Sequence, residues 1–325
     1  MTMGGAMIAT RDAYGEALAE LGETNKDVVV LDADLSGSTK TAIFAKKFPE
    51  RFFNMGIAEQ NMMGTAAGLA ASGKIPFAST FAIFATGRAW EQVRQSIAYP
   101  KLNVKIVATH AGITVGEDGA SHQSVEDIAV MRVIPNMTVI VPADGVETKK
   151  VINEIVRYRG PVYVRLSRGK SPVVLDDSYS FEIGKGVVLK DGTDVSLIAC
   201  GVMVYKALQA ADILGKEGVS ARVINISSIK PIDVDLIIRA ARETGCVVTA
   251  EEHSIVGGLG GAVAEVLAEN CPVPVKRVGI EDKFGTSGDA DLLMEVYGLT
   301  SENIAKAARE VIKKKVVSGR WPVVS

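Results

Sequence analysis

Cysteine is nearly missing from the chain. Cys200, Cys246 and Cys271 are three in 325 residues, far apart, and none belongs to a Cys-x-x-Cys pair. This excludes a disulfide framework and a cysteine-based zinc site, and it points to a reducing, cytoplasmic compartment. An excess of charge is missing too: 36 Lys and Arg face 38 Asp and Glu, a net of −2. A basic footprint for nucleic acid is thereby excluded, as is an acidic tail. No apolar run approaches the roughly 20 residues that span a bilayer, so no membrane partner is expected. The stretch Met62–Ala71 is short and mostly Ala and Gly. The first nine residues carry no basic residue ahead of an apolar core, which excludes a secretory signal; residues 1–6 read as a disordered extension. There is no Gly-x-Ser-x-Gly elbow, P-loop or His-Glu-x-x-His. The GGLGG at 257–261 approaches a dinucleotide fingerprint but has Val263 where the last small residue belongs.

What is present is alternation. Apolar runs at Val28–Leu31, Phe77–Ser79, Val104–Ala108, Thr138–Val141 and Val162–Leu166 read as buried strands. Helical periods at Ala58–Ala71, Arg88–Ile97 and Gly145–Tyr158 fall between them. Periodicity is lost around Ser167–Phe181 and then resumes. Strands are expected near Val195–Ala199, Ala221–Ile224, Val247–Ala250 and Val275–Val278, with helices at Val204–Leu214, Asp233–Thr244, Gly261–Glu269 and Glu302–Lys313. The expectation is two α/β domains built on mainly parallel sheets, residues 1–170 and 182–325, joined by a linker at 171–181. In the helix at Ala58–Ala71, Gly64, Ala67, Gly68 and Ala71 form a face with almost no side chain. Glycine in a helix costs up to ~1 kcal/mol relative to alanine. Another backbone should therefore approach that face, either in the core or across a subunit contact.

Ligands of open parallel sheets bind at the carboxyl ends of strands. The polar residues just after the expected strands are Asp32, Asp34, Ser36 and Ser38; Glu59, which follows the short run Phe52–Asn54; Thr109 and His110, which open the loop HAGITVGEDGASHQ with Asp118 and His122; and Ser167 and Arg168. Two of the three histidines lie in that one glycine-rich loop. Each residue also has a plainer reading. Glu59 suits a helix N-terminus, where the dipole favours a carboxylate. Asp34 and Ser38 suit turns, and Phe81 and Phe84 suit a core. His110, Asp118 and His122 are spaced with too much glycine to read as metal ligands. Glu251, Glu252 and His253 follow a strand of the second half and carry no assignable chemistry.

Taken in order, GIAEQNM around Glu59, STFAIF, ATHAGITVGEDGASHQ, IPNMTVIVPAD and RLSRGK resemble the pyrimidine-binding domain of the transketolase family. EEHSIVGGLGGAVAE and the region after it resemble that family's C-terminal domain, smaller and with a mixed sheet. The resemblance runs from about Arg11 to the end of the sequence. The Gly-Asp-Gly of the family's diphosphate-binding domain occurs nowhere. The chain is therefore similar to the C-terminal section, or subunit, of a transketolase made as two polypeptides.

The resemblance implies roles. Glu59 matches the glutamate that hydrogen-bonds N1′ of the aminopyrimidine of thiamine diphosphate, so that the 4′-amino group can act on C2. Such a carboxyl must hold its proton near neutral pH, which calls for an apolar surround. Phe81 and Phe84 match aromatics around that ring, although Gly87 stands where the family often has a third. Asp34 matches an aspartate beside the cofactor at a subunit contact. His122 and Asp118 match groups near the reacting carbon of the sugar, and Arg11, Ser38, His110 and Arg168 match a phosphate clamp. The implied partner is an N-terminal subunit that holds the diphosphate with Mg²⁺ or Ca²⁺, in an α2β2 assembly with two copies of this chain; no metal ligand is expected on this chain. The implied reaction is transfer of a two-carbon ketol unit between sugar phosphates, relevant to the pentose phosphate pathway. Other readings are the β subunit of a 2-oxoacid dehydrogenase, an enzyme like deoxyxylulose-phosphate synthase, and a scaffold without activity.

Overall fold

The computed structural model describes residues 6–315, so the residues read as an N-terminal extension lie almost wholly outside the described residues. The first half builds β1 (Met7–Ala9), β2 (Val28–Asp32), β3 (Phe52–Asn54), β4 (Ile75–Ser79), β5 (Lys105–Ala108), β6 (Thr138–Ile140), β7 (Val162–Arg165) and β8 (Lys170–Pro172). The second half adds β9 (Val187–Lys190), β10 (Val195–Ala199), β11 (Ala221–Asn225), β12 (Ser228–Lys230), β13 (Val247–Ser254) and β14 (Val275–Ile280). Two α/β domains result, as the alternation required.

One sheet has seven strands in the order β12-β6-β7-β5-β4-β2-β3, all parallel except β12, which runs antiparallel to β6. The other has five in the order β14-β13-β10-β11-β9, parallel apart from β9. Strands β2, β5, β6, β7 and β10 are buried along their whole length, which is why their sequences read as unbroken apolar runs rather than alternations. β1 and β8 pair antiparallel in a separate ribbon.

The division of the sequence into two blocks is not the division of the backbone. β12 comes from the second half yet forms an edge of the first half's sheet, with Lys230 Nζ donating to the carbonyls of Arg132 (2.9 Å) and Ile134 (2.6 Å). One apolar cluster runs through both halves, from Leu31, Met62 and Ile106 to Ile198, Ile224 and Leu259. The helix Gly145–Ile155 is fixed from both sides. Asp144 caps it by accepting from Glu147 N–H (2.9 Å), and Glu147 accepts from Asn225 Nδ2 (3.0 Å) and Ser227 Oγ (2.7 Å) of the second half.

Two helical expectations change in detail. Arg88–Ile97 is not one regular helix: wide, π-type turns at Phe84–Arg88 and Val93–Ala98 flank a single turn at Trp90–Gln92. Such turns recur at functional sites. The helix Glu59–Ala71 buries Met62, Met63, Ala66 and Ala67 and turns Gly64, Gly68 and Ala71 outward. A Cβ at Gly64 or Gly68 would meet no described atom within 4 Å, so none of the described backbone lies against that face.

Candidate active site

Strand order brings the candidate residues together. β7, β5, β4, β2 and β3 are consecutive neighbours, and their carboxyl ends lead to Arg168, His110, Phe81, Ser38 and Glu59 respectively. A row of residues 130 positions apart in sequence thus becomes one rim.

At its centre lies an aromatic box. Phe81 and Phe84 face each other nearly parallel, at 10° and 5.9 Å between centroids. The His110 ring stacks on Phe81 at 3.8 Å and 16°, and His122 presents its edge to Phe84 at 5.4 Å. His110 is held there by an unusual backbone, φ +58°, in the left-handed region that side chains other than glycine seldom adopt. Its Nδ1 lies 2.8 Å from Thr109 Oγ1 and its Nε2 3.5 Å from Arg11 Nη1. Burial, reinforced by the cations Arg11 and Arg168, pushes the His110 pKa down to about 3, so the ring is neutral at physiological pH. It can donate one hydrogen bond and accept another but adds no charge to an anion site.

Cations surround it. Arg11 Nη1 donates to the Ser38 carbonyl at 3.0 Å, while its buried Nε has no partner among the described residues. Arg168 donates to the Val115 carbonyl and lies 3.4 Å from Glu117 and 3.8 Å from Asp118. Lys40, paired to Asp12 at 3.1 Å, also contributes to the field at His110. Sequence reading missed Lys40; its only signal is its place two residues after Ser38.

Glu59 starts its helix and is 1% exposed, yet its surround is not simply apolar: Arg88 Nη1 donates to both carboxylate oxygens at 3.0 Å. The same guanidinium sits over the Phe84 ring, 4.5 Å from its centroid. Arg88 follows Gly87, the position where the resemblance calls for an aromatic, and nothing in the local periodicity singled it out. Asp34 stands apart from the box. It is exposed, with φ +64°, and accepts from Asn54 Nδ2 at 2.9 Å.

The glycine-rich loop is shaped largely by the second half. Gly112, Gly116 and Gly119 have φ of +82°, +85° and +72°, conformations glycine adopts without strain. Glu252 accepts from Thr114 N–H (2.8 Å), Ser287 Oγ donates to the Glu117 carbonyl (2.6 Å), and Gln123 Nε2 donates to the Thr286 carbonyl (2.9 Å). Thus Glu252, left without chemistry by sequence reading, touches the loop that bears Asp118 and His122. Glu251 instead accepts from Leu259 and Gly260 N–H, the first turn of the helix Leu259–Asn270.

A flat heteroaromatic ring fits this set: near-parallel phenyl faces for stacking and a buried carboxylate for a ring nitrogen. The donors of a diphosphate and its metal are of a different kind, and among the described residues no three His, Cys, Asp or Glu gather to hold a metal ion. Nor is any described helix long and apolar enough to cross a membrane.

Residues 6–173 match the pyrimidine binding domain of transketolase and residues 184–304 the transketolase C-terminal domain. The chain therefore belongs to the transketolase family. It is 57% identical over 316 residues to a protein of Methanocaldococcus jannaschii named as a transketolase C-terminal section, covering 96% of this chain and 99% of that one. It is 45% identical over 305 residues to a 6-deoxy-6-sulfo-D-fructose transketolase subunit of a Clostridium species, covering 94% and 95% respectively. The solved structure of a split-gene transketolase, described as an inactive β4 tetramer, superposes with a TM-score of 0.90 at 58% identity, over 95% of this chain and all of that one.

Proposed function

We propose that this chain is the C-terminal subunit of a two-chain transketolase that moves a two-carbon ketol unit from a ketose phosphate to an aldose phosphate. The observation that carries the reading is the buried Glu59 carboxylate, linked through Arg88 to the Phe84 ring of the Phe81–Phe84 pair, on the same rim as two histidines and two arginines. Thiamine diphosphate, when bound, supplies the carbon nucleophile that breaks and re-forms the carbon–carbon bond. Phe81 and Phe84 stack against its pyrimidine, and Glu59 holds a proton at N1′. His122 and Asp118 orient sugar hydroxyls near the reacting carbon, His110 acting as a neutral hydrogen-bonding group. Arg11 and Arg168, with Ser38, bind the phosphate, since guanidinium matches phosphate oxygens with two parallel bonds. Asp34, exposed at the rim, contacts the cofactor region from a subunit boundary.

The diphosphate and its Mg²⁺ or Ca²⁺ belong to an N-terminal partner chain, and the bare Gly64–Gly68 face supports a two-fold contact between copies of this chain within an α2β2 cytoplasmic assembly. The pyrimidine-binding unit then occupies residues 1–170 and the C-terminal unit 182–325. The sugar need not be a pentose phosphate; the Clostridium relative is named for a sulfonated fructose.

The test is reconstitution. The chain alone should transfer no ketol unit; with the N-terminal partner, thiamine diphosphate and Mg²⁺ it should act on xylulose 5-phosphate and ribose 5-phosphate and not on pyruvate. Turnover of pyruvate would favour the 2-oxoacid dehydrogenase or synthase readings. Replacing Glu59→Gln should lower kcat at least ~100-fold; unchanged turnover removes the proposed role.

A further inference from the structure

Arg88 makes two contacts that an aminopyrimidine would also need. Its guanidinium donates to both oxygens of Glu59 and lies against the Phe84 face. A guanidinium and an aminopyrimidine are alike in the relevant respects: both are flat, both stack on a phenyl ring, and both place N–H donors or a protonated nitrogen contact in their own plane. Glu59 is 1% exposed, so water cannot replace a lost partner, whereas Arg88 is 49% exposed and can leave. It is carried by the wide turn Phe84–Arg88, and the preceding Gly87 has no described atom within 4 Å of the place a Cβ would take. The third aromatic that the resemblance leads one to expect is replaced by open space from which Arg88 folds back.

We propose that Arg88 is an affinity-determining residue of the coenzyme site: its guanidinium and the coenzyme's pyrimidine compete for Glu59 and the Phe84 face, so the pyrimidine binds only as Arg88 gives way. The inference rests on the coenzyme reading above. Its free-energy logic is direct. A ligand that must break an existing pair binds more weakly than one that meets a free acceptor. Removing Arg88 raises the energy of the chain before binding and not after, because the buried Glu59 then lacks its donor.

The experiment is calorimetric titration of thiamine diphosphate, with Mg²⁺, into the complex of this chain with its N-terminal partner. Arg88→Ala should lower Kd roughly fivefold, the factor expected for releasing one half-exposed ion pair. Arg88→Lys, which keeps a cation but not the two-oxygen fork, should fall between Ala and the parent. In a Glu59→Gln background the effect of Arg88→Ala should shrink toward nothing, since the competition runs through the carboxylate. Unchanged or weaker binding by Arg88→Ala, with the parent binding normally, overturns the inference and leaves the coenzyme reading intact. An equal gain in the Glu59→Gln background also overturns it. A parent complex that binds no thiamine diphosphate overturns the coenzyme reading itself. Should Arg88→Ala fail to assemble, the order of Arg88→Lys and Arg88→Gln against the parent decides the question in the same way.

Discussion

The Glu252 carboxylate, on a strand of the second sheet, accepts a 2.8 Å hydrogen bond from the backbone N–H of Thr114, within the loop that carries Asp118 and His122. The second domain thereby reaches into the candidate active site of the first. Glu252 is wholly buried; burial pushes its carboxyl above the usual 4.5, and Arg165 pulls it back only in part. Glu252→Ala leaves the Thr114 N–H without its acceptor, which should cost about 1–3 kcal/mol and raise KM for the sugar phosphate. Glu252→Gln keeps an acceptor. Because the parent carboxyl prefers its proton when folded, its contribution to stability falls as pH rises above 4.5. The Gln variant should therefore gain on the parent as the pH rises above 4.5 in thermal unfolding. A Glu252→Ala protein with parental Tm and KM would show that the loop does not depend on this bond.

Gly112 is the other side of that contact. A Cβ there would lie 2.2 Å from Glu252 Oε1, and its φ of +82° is strained for any other residue. Gly112→Ala should destabilise by at least ~2 kcal/mol. In a Glu252→Ala background the loss should be smaller, because only the backbone strain remains. Denaturant unfolding of the two single variants and the double variant measures the coupling, and strict additivity would contradict the packing described.

His110 should titrate out of range. With its pKa pushed down to about 3, it contributes no limb near 6.5 to the pH dependence of kcat/KM. Stability carries the complementary signature. Between 6.5 and 3 the unfolded chain binds a proton that the folded chain refuses, so His110 lowers stability as the pH falls through that window. The effect is a few kcal/mol at most. His110→Phe should flatten the acid slope of Tm against pH; an unaltered slope would mean the imidazole protonates readily in the fold.

The clamp residues should separate binding from chemistry. Arg11→Ala and Arg168→Ala each remove a guanidinium from the rim and should raise KM for phosphorylated sugars roughly 10- to 100-fold. The effect on kcat should be far smaller. Steady-state kinetics on a phosphorylated sugar and its unphosphorylated counterpart give the check. An equal loss on both would show that these arginines do not read the phosphate.

Much of the fold was legible because burial writes itself into composition. β2, β5 and β7 are covered on both faces, so they appear as continuous apolar runs, and the helix Gly145–Ile155 buries one apolar side, Val151, Ile152 and Ile155. The short strands β1, β8 and β12, each three residues long, carry too little pattern to read, whereas the equally short β3 shows as the run Phe52–Asn54. The regular helix expected at Arg88–Ile97 became wide turns, since periodicity over so few residues does not distinguish one helical hydrogen-bond pattern from another. In the site, the histidine loop and Glu59 were visible from chemistry placed just after strands. Arg88 and Glu252 were not, because their importance depends on which distant residue each one meets.

The amino-acid sequence by itself determined the α/β class, the apolar strands and which polar groups stand at their carboxyl ends, since each follows from local periodicity and composition. Tertiary structure alone decided that β12 crosses into the first sheet and that Glu252 secures a loop 138 residues away. It also decided that Glu59 meets a guanidinium rather than a purely apolar wall. The physical reason is the same in each case. Burial and hydrogen bonding between residues far apart in the chain depend on how strands are ordered in space, and neighbouring residues in the sequence do not encode that order.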